Sequence, residues 1–358
     1  MSTFILRRII STIPVLFGIL LVTFSLNRAI PGDPCRAMLG ERATQAVCDA
    51  YIARYGLDQP IPVQFGLYLR NVLQGDLGQS ARFGGAVTEL LAERLPTTIE
   101  LATSALFIAV IVGIPLGIIS AYWRNSRIDV ATMLFANIGV SMPVFWLGLM
   151  LSFFFSVTLK ETPFVLPPSG RLPAGYLPTP YFLQWGLVED VKAATPLMVF
   201  LSRFNILNGV LTLNTQLILE SFRHMILPAA AVSTIPMAII ARMTRASLLD
   251  ALGQDYTRTA RAKGLREMSV VVKHAVRNSL LPVVTIIGLN FGGLVSGAVL
   301  TETIFGFSGI GRTLFEGITA RDYSLVQGVT LVTAVSFVII NLVVDILYGY
   351  LDPRIRLS

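Results

Sequence analysis

The chain has 358 residues, 54% of them hydrophobic and 14% charged, with a net charge of +7. Soluble domains average about 25% charged residues, so this composition excludes an ordinary soluble domain and points into a membrane. No basic face interleaved with aromatics accompanies the positive charge, so it is read as marking the cytoplasmic side of a membrane protein and not a nucleic-acid surface.

Uncharged runs of about 17 to 25 residues cross a bilayer as helices. Six such runs occur, at 9–27, 101–123, 130–159, 225–241, 278–301 and 323–344. The first follows Arg7 and Arg8 and reads as a retained span, because a cleaved leader has a shorter apolar core. The third contains Met142, Pro143, Phe145 and Trp146, and Pro143 predicts a kink because it removes a backbone donor. Packing against neighbours and lining a pathway both remain open for these residues, and for Asn290 among Gly288, Gly292, Gly293 and Gly297 in the fifth run. The fourth run is short and holds Pro228 and Pro236; it is expected to extend past its flanks while His224 and Arg242 snorkel. The stretch 204–219 is too short and polar to span and is expected outside the membrane as a surface helix or hairpin.

Six spans put both termini on one side. With the termini inside, the inner segments hold fourteen basic and six acidic residues, and the outer ones fourteen and fifteen. The basic counts tie. Most outer ones lie in two long loops that translocate largely regardless of charge, so the short loops decide that the termini and the 242–277 loop are cytoplasmic. The chain is therefore expected to be an all-α membrane protein. Residues 1–96 form a first helix and external loop. Residues 97–358 form a five-helix core, with an external insertion at 160–222 and the inner loop at 242–277. The turn-rich external segments are expected to be folded caps.

The six runs contain no Asp, Glu, Lys, Arg or His, which argues against ion-coupled transport, a selective ion channel and an intramembrane hydrolase. The two histidines lie in different loops, and no ligand cluster suggests a metal. Cys35 and Cys48 share one outer loop, and pairing or two free thiols are both open. Gly306–Thr313 reads GFSGIGRT, a Walker-like spacing with Arg312 in place of lysine. A phosphate loop needs a preceding strand in a soluble α/β domain, so turn geometry is the expected use of these glycines.

The strongest local signal is DYTRTARAKG in the inner loop. Asp255 is the expected N-cap and Gly264 the left-handed residue past the end, which makes a short basic helix. Positive-inside statistics explain its charge but not its caps.

This segment, followed by RNSLLPVV, resembles the EAA loop of bacterial ABC-importer permeases. The wider set is similar to the B-type permease of dipeptide and oligopeptide importers. It includes FILRRI, IPGDP, GLDQP, GDLGQS, SMPVFWLG, MILPA, RMTRASLLD, TETIFGFSGIGR, RDYSLVQG and DPRIR. Arg258, Thr259 and Ala260 stand where Glu-Ala-Ala is usual, and the gap from Gly264 to Pro282 is long; both departures fit the peptide-importer branch. The segment 160–222 is the least family-like.

The resemblance implies the type I importer permease fold and half of a passive channel, completed by a homologous C-type permease. It implies two cytoplasmic ATPases that hold ATP and Mg, an external solute-binding protein and a peptide substrate, in the inner membrane. It implies no catalytic residue and no cofactor in this chain. Asp255, Tyr256, Thr257, Arg258, Thr259, Ala260, Arg261, Ala262, Lys263 and Gly264 would form the coupling helix, its alanines allowing close approach and its arginines meeting ATPase carboxylates. Met142, Pro143, Phe145 and Asn290 would face the pathway, and Thr303, Phe305, Phe307 and Arg312 the binding protein. The same family carries nickel, glutathione and other solutes. A non-transporting scaffold for an ATPase, or a channel acting alone, would be rivals from other classes.

Overall fold

The computed structural model describes residues 2–29, Cys35 and residues 43–351; the IPGDP run at 30–34 and the DPRIR run at 352–356 lie outside them. The order is α1 (Ser2–Ala29), α2 (Gln45–Tyr55), α3 (Ile61–Leu73), α4 (Val87–Tyr122), α5 (Arg127–Ser141) and α6 (Val144–Phe153). Three short outer helices follow, α7 (Tyr181–Gln184), α8 (Pro196–Ser202) and α9 (Asn205–Leu211). Then come α10 (Thr215–Leu252), α11 (Asp255–Ala262), α12 (Glu267–Val295), α13 (Val299–Ile304), α14 (Ile310–Thr319) and α15 (Tyr323–Leu351). Among the described residues no strand forms; Gln79 and Ala86 make one isolated bridge.

Five of these helices, α1, α4, α10, α12 and α15, are long and apolar enough to cross a membrane, and α5 with α6, bent by 101° at their junction, passes the same test as a pair. That bend is the expected kink, carried further to a break. Met142 adopts extended backbone (φ −105°, ψ 138°), because the residue before a proline is pushed out of the helical region. The second and fourth apolar runs understate their helices. α4 begins at Val87, well before its uncharged stretch, and runs unbroken past Pro96. α10 is 38 residues long, roughly 57 Å at the usual rise against about 30 Å of hydrocarbon. The stretch 204–219 divides into α9, a turn and the first turns of α10, whose N-cap Asn214 accepts from Leu217 N–H at 2.9 Å.

α10 is the axis of the bundle. In its most apolar window 78% of residues are buried, against 11% in α1 and α15. Within a bilayer, close van der Waals packing holds such helices together. Gly288 of α12 shows why small residues are needed, since a Cβ there would lie 2.2 Å from Val344 of α15. Near the end of the bundle that carries the 160–222 insertion, Leu101, Met225, Leu227, Phe305 and Phe307 form one core cluster. At the opposite end, next to α11, Ala121, Leu248, Ala251, Val271 and Ala275 form another. In the first outer segment Cys35 and Cys48 are joined as a disulfide.

Candidate functional site

The helix α11 starts one residue earlier than its sequence suggests. Gln254 holds the extended N-cap conformation, and Asp255 occupies the first helical turn with no capping bond. Its carboxylate still favours the positive helix end, and it pairs loosely with Arg258 at 3.3 Å. Gly264 is left-handed at φ +74°, as the spacing predicts.

The faces of α11 divide sharply. Thr257 and Ala260, three residues apart, point inward and are buried. Tyr256, Arg258, Thr259, Arg261, Ala262, Lys263 and Gly264 are exposed. The expectation for the alanines is therefore revised: Ala260 packs on its own chain, and Ala262 alone is left for an outside approach. The Thr257 hydroxyl donates to the carbonyls of Gln254 (2.6 Å) and Leu252 (3.0 Å), which fastens α11 to the end of α10. Arg261 is also engaged within the chain. Its Nε and Nη2 reach the two carboxylate oxygens of Glu267 at 3.0 and 2.7 Å, which fastens α11 to the start of α12.

A clamp joins three of the long helices. Asp129 of α5 accepts Arg245 Nε at 2.9 Å and Nη2 at 2.8 Å, the Asn125 N–H at 2.9 Å and the Ser120 hydroxyl. One buried carboxylate so ties the end of α4, the start of α5 and the last turns of α10. Arg242 is bonded to Asn137, so it joins α10 to α5 where the sequence suggests a snorkelling side chain.

The outer end carries a second polar centre. Glu302 is fully buried between α13 and the turn that leads into α14. Its carboxylate accepts the Thr98 hydroxyl at 2.7 Å and the Arg312 N–H at 2.8 Å, while Thr98 Oγ accepts the Ile310 N–H at 2.8 Å. Burial raises the Glu302 pKa, and these hydrogen bonds lower it only in part. The Walker-like run is thus the turn after α13 together with the first turn of α14, and the Arg312 N–H there is given to Glu302. The Arg312 side chain bonds Glu316 at 2.8 Å. Nearby, Arg171 binds Glu100 and donates to Thr97 at 2.9 Å, which bolts the 160–222 insertion to α4.

Of the four outer residues singled out in the sequence, Thr303 is exposed and Arg312 half-buried, but Phe305 and Phe307 lie in the outer core. Aromatic rings next to glycines read as surface contacts in a sequence. Here the Gly306 turn swings them inward, against Met225 and Leu227. Of the pathway candidates, Pro143 and Phe145 are exposed and Met142 half-buried at the break, while the Asn290 amide donates to Ile286 O at 2.8 Å within α12. Sequence reasoning missed Asp129, Arg245 and Glu302. The available signal was an isolated acidic residue beside an apolar run at 129 and at 302. Among the described residues no group of His, Cys, Asp or Glu could hold a metal.

Over residues 113–357 the chain matches the family described as binding-protein-dependent transport system inner membrane component, and over residues 1–102 the N-terminal part of that component. It is 44% identical over 357 residues to the dipeptide transport system permease protein DppB of Alkalihalophilus pseudofirmus, covering 99% of this chain and 100% of that one. It is 43% identical over 363 residues to DppB of Escherichia coli K12, covering 99% of each. The oligopeptide transport system permease protein AppB of Bacillus subtilis is 38% identical over 358 residues, with 99% and 100% covered. The two matches together span almost the whole chain, and the full-length relatives are transport permeases: the chain is a member of the inner-membrane components of binding-protein-dependent transport systems, a transporter family and not an enzyme.

Proposed function

We propose that this chain is the permease subunit of an ATP-driven dipeptide or oligopeptide importer, forms half of the translocation pathway and is driven through α11. The peptide cargo rests on full-length relatives whose names state dipeptide or oligopeptide transport. The drive rests on one observation: α11 is fastened to α10 through Thr257 and to α12 through Arg261, while Tyr256, Arg258, Thr259 and Lys263 stay exposed. A partner that seats on the exposed face moves two spans together, as a rigid-body shift.

The partners in this reading are a homologous C-type permease, two cytoplasmic ATP-binding subunits and an external solute-binding protein. α11 and both termini face the cytoplasm, which fits the basic short loops and the disulfide at the opposite end of α1. Residues 1–96 and 97–358 serve as anchor with cap and as permease core. Thr303 and Arg312 remain candidates for binding-protein contact, and Met142, Pro143, Phe145 and Asn290 for the pathway.

Reconstitution of the complex tests the drive. Arg258→Glu, on the exposed face, is expected to insert normally and to lose at least about tenfold of the ATPase stimulation by peptide-loaded binding protein, which corresponds to ~1.4 kcal/mol. Stimulation at the unmodified level would refute α11 as the handle. Peptide uptake into the same vesicles, compared with nickel and glutathione, tests the cargo separately.

A further inference from the structure

The first outer segment contains a helix whose surroundings are not those of a cap in water. α3 has thirteen residues, about 20 Å, and is too short to cross the bilayer. Helical spacing puts Ile61, Phe65, Tyr68, Leu69 and Val72 on one face, with Leu73 at its edge, and Gln64, Arg70, Asn71 and Gln74 on the other.

The depth of that apolar face is set by α1. The Phe65 ring meets Phe24 at 5.3 Å and Phe17 at 5.7 Å, both edge-on, and Tyr68 stacks on Phe24 at 5.7 Å. The part of α1 long and apolar enough to span is Leu6–Ser25. Phe17 lies eight residues inside that boundary, about 12 Å along the helix, so Phe65 points into the hydrocarbon. The polar side of α3 is satisfied at the boundary. Gln64 accepts from Arg28 Nε at 2.7 Å and donates to Leu57 O at 3.0 Å and Gln59 O at 2.7 Å.

α1 covers only the middle of the apolar face. At its ends Ile61 is 55% exposed and Leu73 80% exposed. They flank a ring that sits at acyl depth, on a helix whose only charged side chain is Arg70. We infer that α3 lies in the plane of the membrane, in the leaflet at the Ser25 end of α1, and that lipid acyl chains cover Ile61 and Leu73. The occupant is a lipid surface because the neighbouring contact already lies inside the span, where the solvent is hydrocarbon. The first outer segment is then anchored at both ends of α3, and α2 with its disulfide rides on the membrane surface.

The test uses the full chain in lipid nanodiscs, with Trp123, Trp146 and Trp185 replaced by Phe and one tryptophan placed at Ile61, Leu73 or Val63. Val63 is the control, exposed on the opposite face beside Arg70. Lipids brominated along the acyl chain are expected to quench the Ile61→Trp and Leu73→Trp variants at least about twofold more than Val63→Trp. Acrylamide is expected to give the reverse order. Acrylamide quenching of Leu73→Trp with no effect of brominated lipid overturns the inference. Acyl quenching that disappears when the second permease is added also overturns it, because the face would then be a protein interface. Membrane-impermeant maleimide labelling of Ile61→Cys, Leu73→Cys and Val63→Cys gives the same order without large side chains. Labelling of Leu73→Cys as fast as Val63→Cys counts against it.

Discussion

Arg261 holds Glu267 with two parallel hydrogen bonds, 2.7 and 3.0 Å long, across the turn between α11 and α12. Both side chains are partly exposed, and such pairs contribute only about 0.2–1 kcal/mol to stability. The pair matters more as a linkage than as a source of stability. Its planar fork fixes the angle between two helices, which a lysine does not reproduce.

The first prediction follows. Arg261→Ala and Glu267→Ala are each expected to shift unfolding by less than about 1 kcal/mol, yet to reduce transport severalfold. Exchanging the two residues should restore part of the loss. Uptake and thermal unfolding in one reconstituted preparation check this; equal losses in both quantities would leave no separate coupling role.

The Asp129 clamp should behave differently. Arg245→Ala leaves a buried carboxylate with two of its four hydrogen bonds gone, which is expected to cost on the order of 3 kcal/mol. Asp129→Asn should cost less, because it removes the charge together with the need for it. Thermal unfolding in detergent separates the two, and an Asp129→Asn variant less stable than Arg245→Ala would contradict the clamp.

Glu302 supplies a pH dependence. Its folded pKa is raised by burial above the unfolded value, which is about 4.3. Stability from this group is complete below the unfolded value and is lost as pH rises through the folded value, because ionisation leaves a charge in a dry site. Glu302→Gln keeps an acceptor for Thr98 and carries no charge. The unfolding temperature of the parent chain is therefore expected to fall relative to Glu302→Gln as the pH is raised. Parallel curves would show that Glu302 titrates normally.

The outer turn makes a further comparison possible. Phe307→Ala empties a fully buried site and is expected to destabilise the chain by about 3–5 kcal/mol. Thr303→Ala, on the exposed side of the same turn, should stay within about 0.5 kcal/mol. If Thr303 meets the binding protein, its variant alone weakens ATPase stimulation without changing stability.

The spans were legible because hydrocarbon imposes its thickness on the sequence, and a run without charge can be counted. The inner helix was legible because Gly264 must be left-handed where it stands. Less legible were features that depend on what a residue meets. α4 and α10 continue past their apolar runs because Glu100 finds Arg171 and Asp129 finds Arg245, partners 71 and 116 residues away. Local spacing does not carry such pairs. The inward turn of Phe305 and Phe307 was hidden for the same reason, since their partners Met225 and Leu227 belong to α10.

Arg8, near the start of α1, pairs with Asp345, near the end of α15, at 3.2 Å. At the other end of the same two helices Gln327 donates to Thr23 O at 3.4 Å. The first and last spans are therefore neighbours that run in opposite directions, and that demands an even number of crossings. Among the described residues five unbroken helices are long and apolar enough to cross, and five crossings by these helices need a sixth from the bent pair α5–α6, one that does not return to the side it came from. The sharp corner at Met142 and Pro143 is thus a corner inside the bilayer. Simple parity, and not hydropathy, makes the broken segment a full member of the bundle.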